Sequence, residues 1–103
     1  MKNVLIHHVF FWLKNPDSIA DKQQLIAGLQ KLSAAQSIQT FHIGTAAATR
    51  REVIDSSYSV SWMLTFATKE AQDDYQIDPI HLQFINDCSS LWQKVVVYDS
   101  VDA

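Results

Sequence analysis

The run from Val4 to Leu13 constrains the fold more than any other feature, because it is apolar on both faces of an extended chain. Successive side chains of a strand point to opposite sides. Leu5, His7, Val9, Phe11 and Leu13 therefore share one face, while Val4, Ile6, His8, Phe10 and Trp12 share the other. A strand with two apolar faces has to be covered twice, which places it inside a sheet with protein on each side. The run is too short to span a bilayer, is interrupted by His7 and His8, and has no small-residue cleavage site after it. It reads as a strand of a soluble protein.

The rest of the chain supplies the partners for that strand. Asn15-Pro16-Asp17-Ser18 makes a turn and a helix cap, and Leu25, Ile26, Leu29 and Leu32 then recur at helical spacing, predicting a helix that ends near Ala35. Thr40 to Ala46 reads as a second strand and Thr49 to Ser57 as a polar connection. Tyr58 to Ala67 is the clearest strand: Tyr58, Val60, Trp62, Leu64 and Phe66 form a large face for helices, and Ser59, Ser61, Met63, Thr65 and Ala67 a small one for a closer neighbour. Thr68 caps a short helix through Glu70, Ala71 and Tyr75. That helix breaks at Asp78-Pro79, because Pro lacks an amide hydrogen and suits the first position of a new helix that Asp78 can cap. His81, Phe84, Ile85, Cys88 and Trp92 follow at steps of three and four, which puts His81 on a buried stripe. Lys94 to Asp99, rich in valine, closes the chain as a fourth strand.

This order, with right-handed crossovers, predicts an α+β fold: a ferredoxin-like βαββαβ domain with a four-stranded antiparallel sheet and both helices on one face. The other face, with Ile6, His8, Phe10 and Trp12, stays bare and too apolar for water. A homodimer in which two sheets face each other as an α/β barrel resolves that exposure.

Composition agrees. With 103 residues, 48% of them hydrophobic, and only two Gly and two Pro, residues 1–103 have one core and no room for a flexible linker. A net charge of −3 and a single adjacent basic pair, Arg50-Arg51, leave no footprint for nucleic acid. The lone Cys88 forms no internal disulfide and no metal framework, and a cytoplasmic location follows as the expectation. No pair among the histidines has the helical spacing of a zinc site, so no metal is expected.

Tyr75 and His81 are the candidate chemical groups. A short turn at Asp78-Pro79-Ile80 can aim the phenol and the imidazole into one space. His81 stands near a helix N-terminus, where the dipole and burial both disfavour imidazolium, so it can act as a base near neutral pH. It would remove a proton next to a carbonyl while Tyr75 bonds the resulting oxyanion. The alternative is a core histidine whose ring nitrogens bond Tyr75 and backbone to fix the helix junction. His7 faces the helix layer and either lines the same cavity or makes a buried hydrogen bond. His8 points to the opposite face and so to the interface; His42 receives no role. Trp62, Phe84 and Trp92 are candidate walls of an apolar pocket, or else plain core. Arg50 and Arg51 either attract an anion to the pocket or are simply solvated. Cys88 reads as inert packing.

Several of these residues resemble one family across nearly the whole chain: Ile6-His7-His8-Val9-Phe10-Phe11-Trp12-Leu13-Lys14, Tyr58, Thr65-Phe66, the stretch Asp73 to His81, Leu91-Trp92 and Val95 to Asp99. They are similar to the stress-responsive dimeric α/β-barrel (Dabb) proteins. The resemblance implies a ferredoxin-like dimer without a cofactor. The resemblance extends to one characterised relative, the plant polyketide cyclase olivetolic acid cyclase, whose catalytic tyrosine and histidine correspond to Tyr75 and His81 and whose pocket histidine corresponds to His7. Asp78 stands where that cyclase has a histidine. Three functions are open: binding of a small hydrophobic or aromatic molecule, a cofactor-free cyclase or lyase, or a purely structural dimer. The cavity separates them, since ligand sites typically hold ~300 Å3 or more.

Overall fold

In the computed structural model, which describes residues 3–103, β1 (Leu5–Leu13) is interior to the sheet, as its two apolar faces require. It pairs antiparallel with β3 (Val60–Phe66) on one side and with β4 (Trp92–Val101) on the other. The short β2 (Thr40–Gly44) pairs antiparallel with β3, giving the order β2-β3-β1-β4 of a ferredoxin-like sheet.

Three helices lie on one side of that sheet: α1 (Ile19–Leu32), α2 (Lys69–Ile77) and α3 (Pro79–Cys88). Each start is fixed by a side-chain cap. Ser18 Oγ accepts from the Asp21 amide, Thr68 Oγ1 from the Ala71 amide, and Asp78 Oδ1 from the Ile80 amide, with Pro79 opening α3. The core forms between Leu25, Leu29 and Leu32 of α1, the inner face of β1 and β3, and Phe84 and Cys88 of α3. Gly28 lets α1 and α3 close on each other, because a Cβ there would lie 2.5 Å from Cys88 Sγ.

The boundaries depart from the sequence expectations in ways that have local causes. Helix α1 ends at Leu32 rather than Ala35, with the Ser33 amide donating back to the Leu29 carbonyl. Strand β2 stops at Gly44, short of Ala46, and β3 begins at Val60 rather than Tyr58. Trp92 does not belong to the stripe of α3: a 3-10 turn over Ser89–Leu91 ends the helix, and Trp92 opens β4. Ile85 is also turned outward, at 39% exposure.

Two faces of the sheet remain open to different degrees. On the outer face Ile6, His8, Phe10 and Trp12 are half-buried, as expected of a layer with no helix above it. On the inner face the helices bury β1 and β3, while the two edge strands are covered less: Phe41 of β2 and Val95 and Val97 of β4 are 47%, 37% and 44% exposed, although Trp92 packs against Phe84. Among the described residues no helix is long and apolar enough to cross a membrane.

Candidate functional site

The break between α2 and α3 sets the geometry of the site. Asp78 is extended, with φ −62° and ψ 132°, which turns the chain between Tyr75 in the last turn of α2 and His81 in the first turn of α3. Their ring centroids lie 4.6 Å apart. Tyr75 is buried, whereas His81 is half-buried and not the fully inward residue that its stripe predicts.

Of the two bonds in the core-histidine alternative, His81 makes the one to backbone but not the one to Tyr75, and each ring has another partner. His81 Nδ1 lies 3.2 Å from the Gln76 carbonyl oxygen. A carbonyl only accepts, so Nδ1 carries the proton and Nε2 keeps its lone pair. Burial lowers the pKa of His81, partly offset by that carbonyl, and favours the neutral ring. The Tyr75 oxygen accepts from Trp62 Nε1 at 3.2 Å. Burial pushes the phenol up to about 12 against the opposing effect of that hydrogen bond, so Tyr75 keeps its own proton as a donor.

His7 completes the polar corner, with its ring centroid 6.2 Å from that of Tyr75. Its Nδ1 lies 2.6 Å from Asp99 Oδ1, directly across the β1 and β4 ladder. The carboxylate accepts, which again places a proton on Nδ1 and leaves Nε2 free of this bond. Gln72 Nε2 donates to Asp99 Oδ2 at 3.2 Å and so holds the carboxylate from the other side. The same amide lies 3.2 Å from His7 Nδ1, but two donors cannot share a bond, and the short contact to Asp99 decides the arrangement. Sequence reasoning missed Asp99 and Gln72. The available signal was a carboxylate in phase with Val95 and Val97 on a strand face that is otherwise apolar.

A cavity of ≈ 220 Å3 opens at the polar corner. His7, Trp62, Tyr75, His81, Phe84 and Trp92 all line it, so the structure brings together all six side chains singled out from the sequence. Trp62 is 1% exposed and lies in the wall rather than in the space. Trp92 reaches the cavity from β4, with its ring 5.8 Å from that of Phe84. The mouth opens past Ile85, Val95 and Val97. Arg50, Arg51, His8 and His42 do not line it. Among the described residues, no three His, Cys, Asp or Glu side chains gather closely enough to hold a metal ion.

The family model for the stress responsive A/B barrel domain, Dabb, matches residues 5–102. This chain belongs to the Dabb family. A Dabb protein of Mesorhizobium loti with a ferredoxin-like fold is 25% identical, with a TM-score of 0.79 over 97% of each chain. The hydroxynitrile lyase of Passiflora edulis superposes with a TM-score of 0.82 over 100% of this chain and 96% of the other, at 20% identity. A dimeric ferredoxin-like protein of unknown function from Thermobifida fusca gives 0.78 over 98% and 92%, at 16% identity. The last two likenesses are of fold alone. No curated protein matches the sequence of this Dabb protein.

Proposed function

We propose that this Dabb protein binds a compact, largely apolar molecule, of about one ring, whose single polar group meets His7, Tyr75 and His81. The observation that carries the reading is an unfilled ≈ 220 Å3 cavity with aromatic and aliphatic walls and a polar corner. A dry cavity of ~150 Å3 accommodates benzene. Sites for drug-sized ligands hold ~300 Å3 or more, so the space favours one ring over an extended chain. The corner offers a donor, the Tyr75 hydroxyl, an acceptor, Nε2 of His81, and a further polar atom, Nε2 of His7. That set suits a phenol, an aromatic aldehyde or a similar hydroxyl or carbonyl compound. An open space also argues against a purely structural role for these side chains.

Benzaldehyde, phenol and benzoate serve as probes in an NMR titration of the labelled protein. The expected result is saturable shifts confined to the indoles of Trp62 and Trp92 and the methyls of Val9 and Val97. Val97→Trp, which fills the mouth, is expected to abolish them. Absence of shifts at millimolar probe, or identical shifts in the filled variant, would falsify the binding reading.

A second reading has its own observation, the tautomer of His81. An unprotonated Nε2 beside a phenol that remains a donor is a base paired with an oxyanion partner. His81 Nε2 takes a proton from carbon next to a carbonyl, the electron pair moves into that carbonyl, and the Tyr75 hydroxyl bonds the oxygen that gains charge. No cofactor enters this step. The cavity size favours a small carbonyl substrate over a long poly-β-keto chain. We also propose that the outer face of the sheet is covered by a second copy of the chain, which would close the α/β barrel and remove the apolar layer from water.

A further inference from the structure

The outer face carries a feature that ligand binding does not use. The register aligns His42 of β2, Met63 of β3, His8 of β1 and Tyr98 of β4 in one row across the sheet. His8 and His42 are thus separated by two strand spacings, roughly 10 Å. Both rings lie on the sheet surface. His8 packs on Phe10 with centroids 4.3 Å apart, and His42 lies over Gly44, whose missing Cβ makes room for it: a Cβ there would come within 2.9 Å of the imidazole.

No carboxylate stands on the four strands of this face to receive a proton's charge. From β1 the face presents Ile6, Phe10 and Trp12 besides His8; from β3, Ser61, Met63 and Thr65. From β4 it presents Tyr98 and Lys94, the latter a cation lying over the Trp12 ring at 4.6 Å. The connection between β2 and β3 brings Asp55 and Tyr58 to the Trp12 end, and Asp102 lies at the opposite end, bonded to the Asn3 amide. His7 contributes from the reverse side of its own strand.

We infer that the paired imidazoles of His8 and His42 make self-association through this face acid-labile. The inference rests on the proposed cover by a second copy. A twofold contact doubles these imidazoles and buries them, so protonation would place several like charges in an apolar layer whose strands carry no carboxylate. Already in the single chain the pKa of His8 is lowered, first by burial and then by His42 and His7. Cover by a partner adds to the same effect. The sign follows from linkage: the associated state binds fewer protons, so association is strongest at neutral pH, and because His8 is already lowered in the single chain it weakens as the pH falls below the ordinary imidazole value of about 6.5.

Sedimentation equilibrium of the full chain between pH 7.5 and 5.5 tests this, with far-UV circular dichroism at each pH to confirm that the fold persists. The wild type is expected to be dimeric at pH 7.5 and to weaken about tenfold or more by pH 5.5. His8→Gln and His42→Gln, separately and together, are expected to keep the pH 7.5 dissociation constant within a few-fold and to flatten the dependence. A dimer whose acid dissociation is the same in the double variant overturns the inference and leaves the dimer reading standing. A chain that is monomeric at pH 7.5 at micromolar concentration overturns the dimer reading and the inference with it.

Discussion

Tyr75 does two jobs with one oxygen. Its lone pair accepts the Trp62 indole N–H, and its proton stays in place as a donor because burial holds the phenol in its neutral form. Tyr75→Phe preserves the ring and its packing but strands a buried indole donor, which typically costs about 1–3 kcal/mol. Urea unfolding is expected to show that loss, and the probe titration a weaker affinity for carbonyl and hydroxyl compounds. A variant as stable as the wild type would mean that the indole finds another acceptor. At this scale the sequence showed which residues meet but not how they bond. Tyr75, His81 and His7 are legible from a helix break and a strand phase. The pairing of His7 with Asp99 joins residues 92 positions apart and depends on the β1 and β4 register, which no local pattern reveals. Whether the aromatic walls leave a space is equally a matter of rotamers.

Among the elements, the contact of α1 with α3 is the tightest. Gly28→Ala raises helix propensity by up to about 1 kcal/mol. It also drives a methyl to 2.5 Å from Cys88 Sγ, with the Phe84 ring at 3.4 Å. Overpacking of that kind costs about 1–3 kcal/mol, so the balance is a net destabilisation. A lowered thermal midpoint, restored by adding Cys88→Ala, is the expected calorimetric result; a raised midpoint would show that the helices simply slide apart. Element types and starts were readable because capping is local chemistry: Ser18, Thr68 and Asp78 each bond an amide within three residues. Ends were less readable. Trp92 lies at helical spacing from Cys88, yet the 3-10 turn at Ser89–Leu91 changes the phase between them. Periodicity alone carries no mark of such a change.

For the whole molecule, the proposed assembly turns on the outer sheet face. Phe10 lies at its middle, with ring neighbours His8, Tyr58 and Tyr98. Phe10→Asp places a charge in the proposed contact and little in the core, which lies on the other side of β1. The expected species is a folded monomer by light scattering with unchanged circular dichroism; a persistent dimer would move the contact elsewhere. The less covered inner side of β4 has a different consequence. Stability resides in the leucines and aromatics beneath α1, whereas the threshold of the cavity is built from Val95, Val97 and Ile85, which bear little of the core's load. Substitutions at these three positions can therefore reshape the mouth of the cavity while the scaffold beneath it stays still.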